Sequence, residues 1–475
     1  GATVELERAP LKYDGLSYTE IWISEAQERM VLAVPADRLD ALQAICDEEH
    51  VELAVLGTFG TENAELVLNY YGTEVGRLGM AFLHEGLPDP RRESSWSPTA
   101  IPAQPTDPAH PGVHLHPEAD LRESLLEILR HPTVASKHWI VRQYDHEVQG
   151  NTIVRPLVGP DGLGPGDGSV VEPVPGTRRG LALGCGLATS IGDPELGGDP
   201  YQMALAAIDE SVRNLVCLGA DPERIAILDN FCWPSCKKPE NLGRLVRACV
   251  GCYDGAKAYR TPFVSGKDSL NNQFTTSGGR TIEIPPTLLI TGMGIVPDIA
   301  RCVTSDAKRP GHELIVVGPT TDRVGGSLHS IVCDCHHGDP RVPTVDLELG
   351  PRLARAVAGL IAGGLVEAAH DVSDGGILAA VAEMLIGSVG GDHPIGATID
   401  LASAHEDVFV AAFGESPSRY LLEVSQDDMG RVTDALGDLP WTHLGRLDDS
   451  GRLSSSRIDV GVDELIWAWR GTLDW

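Results

Sequence analysis

The apolar positions along the chain switch repeatedly between a period of two and a period near 3.6, so strands and helices alternate. In the later half the order is clear. Apolar runs at 180–189, 225–230, 262–266 and 285–296 read as strands, and the segments 200–219 and 240–259 read as helices. After the turn Arg309-Pro310-Gly311-His312, the run 312–319 opens another strand. The earlier part begins strand, loop, strand, helix, followed by strand patterns at 64–72 and 74–86. Residues 87–117 are rich in Pro with no sustained period, which predicts a linker. Residues 117–136 carry apolar side chains at 121, 125, 126, 128 and 129, the spacing of a short amphipathic helix. Alternation of this kind places the chain in the α/β class.

One pattern occurs twice. Gly1-Ala2-Thr3-Val4-Glu5-Leu6 returns as Gly396-Ala397-Thr398-Ile399-Asp400-Leu401. Downstream, 23–34 matches 413–424, which aligns Glu25 with Glu415 and Arg29 with Arg419. An apolar alternation after each Arg predicts a strand in both copies. Asp37 and Asp427 then open helical patterns, and each copy closes on a Leu-Gly pair, Leu56-Gly57 and Leu444-Gly445. The second copy follows a long α/β stretch from about 138 to 395, whereas the first has none before it. The expectation is one complete half-molecule preceded by the tail of a similar half. A further 250–300 residues, roughly two domains of ordinary size, would make up the rest of that half.

Composition narrows the function classes. The chain has 475 residues, 42% apolar but only 5% aromatic, so its cores rest on Leu, Val, Ile and Ala. Asp and Glu number 68 against 37 Lys and Arg, a formal charge of −31. That argues against partners such as nucleic acid or an anionic membrane, which need a basic footprint. Phosphate can still be held by backbone N–H groups and Mg²⁺. No apolar stretch is long enough to span a membrane and no signal peptide is evident. Ten Cys are too few and too irregular for a disulfide scaffold, and reduced thiols point to a cytoplasmic protein. Cys249 and Cys252 fall on a helical pattern, where buried small hydrophobes are the expected role and zinc the lesser alternative.

Four places could carry chemistry. Asp229 ends the strand 225–230, where an α/β sheet faces its ligands, although a turn-capping Asp would look the same. Ser265-Gly266-Lys267-Asp268-Ser269 follows the next strand. Gly266 permits close backbone approach, Lys267 can offset phosphate charge, Asp268 can hold Mg²⁺ and Ser269 can donate to phosphate. The spacing is not that of a Walker A loop, and an ordinary polar turn is the bland reading. His370-Asp371-Val372-Ser373-Asp374-Gly375-Gly376 opens a helix whose apolar face is 377, 378, 381, 384 and 385. Ser373 or Asp374 is expected to cap it, and the glycines leave bare N–H groups for an anion. Glu25-Ala26-Gln27 differs from its counterpart Glu415-Ser416-Pro417, as an active and a structural half would.

The segments LDNFCWP, PFVSGKDSLNN, PPTLLITGMG, GPTTDRVGGS, HDVSDGG, FGESPSRYLLEV and ISEAQERMVLAV together resemble the phosphoribosylformylglycinamidine synthase family, in its small type, within the aminoimidazole-ribonucleotide-synthetase-like superfamily. The resemblance covers nearly the whole chain. It implies residues 1–90 as the end of a first carboxy-terminal domain and 91–137 as linker and short helix. It implies 138–306 as a second amino-terminal ATP-binding-type domain and 307–475 as the second carboxy-terminal domain. The implied reaction is ATP-dependent conversion of formylglycinamide ribonucleotide to formylglycinamidine ribonucleotide with glutamine-derived ammonia. The implied partners are a separate glutaminase subunit and a small bridging subunit; the implied cofactors are ATP or ADP and Mg²⁺. Carried over by motif, Glu25, Ala26, Gln27 and Ser269 would contact substrate, Asp229, Gly266 and Lys267 nucleotide, and Asp268 the metal. Ala26 stands where the family usually has Ser, and Lys267 where small-type members often have Asn; a Lys ammonium cannot ligate Mg²⁺, so the metal would move to Asp268 or be lost. The family's catalytic His belongs to a first amino-terminal domain that this sequence does not include, so the chain alone is expected to be inactive. The alternative reading is a non-catalytic scaffold half that holds ADP.

Overall fold

The computed structural model describes residues 1–25, 29–98, 120–333 and 337–473. The chain divides into two compact units, Gly1–Arg91 and Arg92–Trp475.

The first unit contains β1 (Ala2–Glu5), α1 (Tyr18–Ile23), α2 (Leu39–Glu48), β2 (Gly57–Phe59), β3 (Glu65–Tyr70), β4 (Thr73–Gly79) and α3 (Met80–Glu85). Its sheet runs β2-β1-β3-β4, with β1 antiparallel to β2 and parallel to β3. Leu6, Ile21, Leu66 and Leu68 form a small core beneath it. The pattern at 74–86 is a strand only to Gly79; the rest is α3, because Gly79 leaves the sheet and caps the first turn.

The second unit is built on two sheets. The first contains β5 (Thr152–Val154), β6 (Ser169–Val171), β7 (Gly180–Leu187), β8 (Ile225–Cys232), β9 (Phe263–Ser269) and β10 (Thr287–Val296), in the order β9-β8-β10-β7-β6-β5. Only β8 and β9 pair in parallel; the other neighbours are antiparallel. Helix α4 (Leu121–Arg130), the amphipathic helix of the sequence pattern, packs in the core of the second sheet, whereas α5 (Pro200–Cys217) and α6 (Pro239–Tyr259) accompany the first. The second sheet contains β11 (Glu313–Val317), β12 (Ala368–Asp371), β13 (Gly396–Ile399), β14 (Tyr420–Val424), β15 (Trp441–Asp448), β16 (Arg452–Ser454) and β17 (Asp459–Gly461), in the order β12-β14-β11-β15-β13-β16-β17. Its helices include α7 (Leu349–Ala362), α8 (Gly376–Gly387), α9 (Val408–Phe413), α10 (Met429–Leu436) and α11 (Val462–Arg470). The class is thus mixed α/β with largely antiparallel sheets.

The repeat is a repeat of topology and register. Val4 faces Gly57 across β1 and β2, and Ile399 faces Gly445 across β13 and β15, the residues that the sequence repeat aligns. Ala2 pairs in parallel with Leu66 as Ala397 does with Leu453, so β2-β1-β3-β4 reproduces β15-β13-β16-β17. One expected counterpart does not form. The second copy has β14 after Arg419, whereas residues 29–34 are not a strand, and Met30, Val31 and Leu32 are exposed. The reason is pairing: β14 lies between β11 and β12, and the described residues of the first unit include no equivalent of either. An alternating segment without neighbours cannot satisfy its backbone as a strand.

Helix α5 holds the second unit together. It is buried on nearly every side, packed by β7, α6 and α7 within one apolar core. Close approach to β7 requires Gly186, where a Cβ would lie 2.1 Å from the Ala207 carbonyl oxygen. Because the obstacle is backbone, Gly186→Ala is expected to cost about 1–3 kcal/mol. A urea titration checks this, and an unchanged midpoint would show that the helix can back away. Gly219 at φ +93° ends the turn after α5 as a C′ glycine, in agreement with the sequence signal. Ahead of the domain, Trp96 stacks on Arg247 at 3.9 Å and Ser95 N–H donates to the Pro239 carbonyl, so the start of the Pro-rich linker is tied to α6.

Candidate functional site

Asp229 and Gly266 lie directly opposite each other in the parallel β8–β9 pair. Neither is at a strand end, as the sequence suggested; β8 continues to Cys232 and β9 carries the whole Ser-Gly-Lys-Asp-Ser run to Ser269. A Cβ on Gly266 would stand 2.5 Å from Asp229 Oδ1, so glycine is what leaves the carboxylate room. Burial raises the Asp229 carboxyl above its usual range, while the Lys267 backbone N–H, bonded to it, pulls the other way. The Asp268 charge adds to the rise, so Asp268 shares Asp229's face. Lys267 and Ser269 occupy the opposite face, where the Lys267 ammonium bonds the Ser269 hydroxyl. The period of two therefore divides the predicted group: Asp229, Gly266 and Asp268 on the helix side, Lys267 and Ser269 on the other. Glu25 is exposed just after α1, in the place that Glu415 takes after α9. Ala26 and Gln27 lie outside the described residues.

A second cluster lies where the two sheets of the second unit meet around α5. Leu187, Glu210, Arg213, Ser373, Asp374 and Glu415 are among the residues lining a small cavity there. Ser373 and Asp374 do not cap α8. Gly375, at φ +80°, is the cap residue, and its N–H donates to Glu415 Oε1 at 2.8 Å. Glu415 Oε1 also takes the Leu328 N–H at 2.8 Å, so the anion seat predicted at the paired glycines holds the chain's own carboxyl. Burial pushes the Glu415 carboxyl up to about 8, with Asp374 adding to it. Burial likewise lifts Asp374 to about 6, seconded by the Asp371 charge, and lifts Glu210 well above its usual range. Three neighbouring buried carboxyls, Glu210, Asp374 and Glu415, cannot all ionise in a low-dielectric setting, so they share protons or a cation.

Beside the cavity, His370 Nδ1 bonds Asp167 Oδ1 at 2.6 Å and its Nε2 bonds Glu383 Oε2 at 3.1 Å. Burial disfavours the imidazolium, but the Asp167 and Glu383 carboxylates outweigh it and hold the His370 proton well above the usual range. Asp167, His370 and Asp371 offer ligand atoms within 4.8 Å of one another. With both ring nitrogens engaged, the open acceptors are elsewhere: Asp167 Oδ2 and Asn214 Oδ1 are buried with no hydrogen-bond partner. Two orphaned oxygens beside Asp371 and Glu210 fit a hard divalent cation. On α5, Asp209 accepts from Ser418 N–H at 2.8 Å and from the Ser418 hydroxyl, Tyr259 and Arg213. His370 and Asp371 stand in a motif visible in the sequence, whereas Asp167, Glu210 and Asn214 do not. The available signal was the polar run Asp209-Glu210 and Arg213-Asn214 inside an otherwise apolar helix. Cys249, expected to be buried beside Cys252, is exposed on α6, and both are free thiols.

Two faced sheets with a polar junction, repeated in part, define the class. The chain belongs to the AIR synthase related family: the C-terminal domain model of that family matches residues 1–68 and 309–457, and the N-terminal domain model matches 167–296. Within it, the chain is homologous to phosphoribosylformylglycinamidine synthase subunit PurL. It is 32% identical to PurL of Deinococcus radiodurans over 489 residues, covering 100% of this chain and 61% of that protein. PurL of Methanothermobacter thermautotrophicus is also 32% identical, with 100% and 61% covered. The chain therefore spans about three fifths of the length of these relatives. In fold it is similar to T. maritima PurL complexed with ADP, at a TM-score of 0.58 and 19% identity over 94% of this chain and 60% of that one. T. maritima PurL complexed with FGAR matches at a TM-score of 0.53 and 17% identity, over 73% and 53%. Among the described residues no helix is long and apolar enough to cross a membrane.

Proposed function

We propose that this chain is a nucleotide-binding half of a phosphoribosylformylglycinamidine synthase, an enzyme that makes formylglycinamidine ribonucleotide from formylglycinamide ribonucleotide, ATP and glutamine-derived ammonia. The observation that carries the reading is the PurL alignment along the whole chain. In that reaction the terminal phosphoryl group of ATP passes to the amide oxygen of the substrate. Ammonia then bonds to the amide carbon and inorganic phosphate leaves with that oxygen. Such a transfer rests on placing the acceptor and offsetting charge on the phosphate oxygens. On this reading, carried over by motif, Asp229, Gly266 and Lys267 are nucleotide positions, with Lys267 reaching round the open edge of β9, and Ser269, Glu25, Ala26 and Gln27 are substrate positions. Asp268 would hold Mg²⁺, which usually takes one or two carboxylates together with phosphate oxygens; bound there, it would draw charge from the transferring group. The glutaminase and bridging subunits would deliver ammonia, in the cytoplasm.

The C-terminal family model matches two stretches and the N-terminal model matches one. Synthesis needs an N-terminal domain facing the first lobe, so the chain by itself is expected to bind Mg·ADP but not to turn over. Calorimetry with ADP and an assay with substrate, ATP and ammonia test the two parts. Turnover by the purified chain overturns the half-enzyme reading; absence of ADP binding overturns the nucleotide reading. Gly266→Val is expected to weaken ADP at least tenfold, because its side chain would fill the space before Asp229. An unchanged dissociation constant would remove β8–β9 from the site.

The second reading is a non-catalytic scaffold half that holds ADP. ADP bound only by the folded state would raise the melting temperature by mass action without exchanging during turnover.

A further inference from the structure

We propose that His329, Cys333 and His337 hold one transition-metal ion of the zinc class, through two imidazole nitrogens and one thiolate. The nucleotide reading above uses none of these residues, and the inference does not depend on it.

The three residues are spaced His329-x₃-Cys333-x₃-His337. An interval of four brings side chains to one side of a helix, and the first interval falls on one. Leu328–Val332 is helical, and the Cys333 N–H donates to the His329 carbonyl at 2.9 Å. The chain then turns back. Gly338, at φ +74°, lies so close to the Asp322 carbonyl oxygen that a Cβ would stand 2.5 Å from it, and the Asp339 N–H donates to that same oxygen at 2.7 Å. These contacts fix the backbone beside His337. Asp334, Cys335 and His336 lie outside the described residues and take no part in the assignment.

Two phenylalanines on α9 orient the imidazoles. His329 stacks on Phe413 with ring centres 4.5 Å apart and planes at 4°, and His337 stacks on Phe409 at 4.0 Å and 7°. Stacking sets the plane of each ring, and so the directions in which its nitrogens can bond. The two imidazole centres are 5.8 Å apart. Two imidazoles on one Zn²⁺, with Zn–N of about 2.0–2.1 Å, have centres roughly 5–6 Å apart. Both rings line one small cavity of about 10 Å³, room for a single ion or water. Aromatic packing alone does not call for histidine. Phe would fill the same stack with no polar atoms to satisfy, and His329 is only 4% exposed.

The thiol is the third ligand and sets the metal class. Cys333 is half-buried and its thiol donates to the Ser124 hydroxyl on α4 at 3.7 Å, so the three ligand atoms do not yet lie within 4.8 Å of one another. Binding exchanges that weak contact for a metal bond. The thiol releases its proton to solvent, and each imidazole gives the lone pair of a neutral ring nitrogen. Water would complete a tetrahedron. Thiolate with imidazole favours Zn²⁺ over Mg²⁺, whose ligands are oxygens, so this site and the carboxylate junction take different ions.

The test strips the full chain with a chelator, fills oxygen sites with excess Mg²⁺, and titrates Co²⁺ and then Zn²⁺. The expected result is one equivalent of Co²⁺ with tetrahedral visible bands and a thiolate charge-transfer band, all displaced by Zn²⁺. Cys333→Ser should abolish the charge-transfer band. His329→Phe and His337→Phe keep the stacks, so the metal-free melting temperature should stay near that of the parent while Zn²⁺ affinity falls about tenfold or more. His337 is the less buried of the two, so His337→Phe carries the test should His329→Phe fold poorly. If the charge-transfer band is absent or survives Cys333→Ser, or if the folded Phe variants bind Zn²⁺ as the parent does, the assignment fails and the nucleotide reading is untouched.

Discussion

Asp209→Ala is expected to destabilise the second unit by about 3–5 kcal/mol, among the largest single losses in the chain. Asp209 is 1% exposed and lies one helical turn before Arg213, which is also buried. Its two oxygens accept from Arg213, the Tyr259 hydroxyl, the Ser418 N–H and the Ser418 hydroxyl. Alanine would leave a buried guanidinium hydrogen-bonded among the described carboxylates only to Asp371, at 3.4 Å, and would orphan three neutral donors. Part of that cost belongs to the stranded charge rather than to the original pair. Arg213→Met in the same background should therefore recover part of the loss, which a merely additive cavity would not do. Ser418 makes the effect long-range: it adopts φ +59°, and its bonds to Asp209 tie the loop before β14 to α5. Urea unfolding of the two single variants and the double variant measures this. A loss below about 1 kcal/mol for Asp209→Ala would show that water replaces the carboxylate.

The order of elements was legible because the apolar periods are long and clean from 138 onward, and the strands and helices there fall where the periods change. What failed had specific causes. Residues 29–34 carry a strand pattern, but a strand is a relation between segments, and the pattern cannot say whether a neighbour exists. Met80–Glu85 follows a strand without a break in hydrophobicity, so its change of period was lost in the run from 74 to 86. The β9 segment Gly266–Ser269 looks like a turn by composition, yet pairing with β8 draws it straight, and this changes which of its side chains stand together. The HDVSDGG helix start invited a local cap, whereas the cap comes from Glu415, forty residues away. Local propensity ranks Ser and Asp as good caps but cannot weigh them against a carboxyl brought in by the fold. The glycine-rich approach of β7 and β10 to α5, with the buried polar run on that helix, was the remaining sign of the junction cavity.

Glu415→Gln is expected to make the chain more stable than the parent at pH 8 and to flatten its stability between pH 5 and 8. The usual carboxyl value of 4.5 applies to Glu415 in the unfolded chain, and burial raises it to about 8 in the folded one. Between those values the folded state holds a proton that the unfolded state has released. Stability then falls as pH rises, by up to about 1.4 kcal/mol per pH unit for one such proton. Below about pH 4.5 both states are protonated and the contribution is fully present; above about pH 8 the loss is complete. Glutamine keeps an oxygen for the Gly375 and Leu328 N–H groups and never titrates, so the penalty disappears while both N–H groups stay satisfied. Alanine never titrates either but removes the acceptor, so it should lie below the Gln variant at every pH by about 1–3 kcal/mol for the buried donors it exposes. Glu210 and Asp374, shifted the same way, keep a residual slope in the Gln variant, so the informative quantity is the difference between parent and variant at each pH. Urea midpoints at pH 5, 6, 7 and 8 give it. Parallel curves for parent and variant would mean that Glu415 keeps an ordinary carboxyl and that the charge in this cavity is shared by Glu210 and Asp374. A difference that widens with pH and vanishes when Mg·ADP is added would show that a bound cation takes over the charge that the proton carries in its absence.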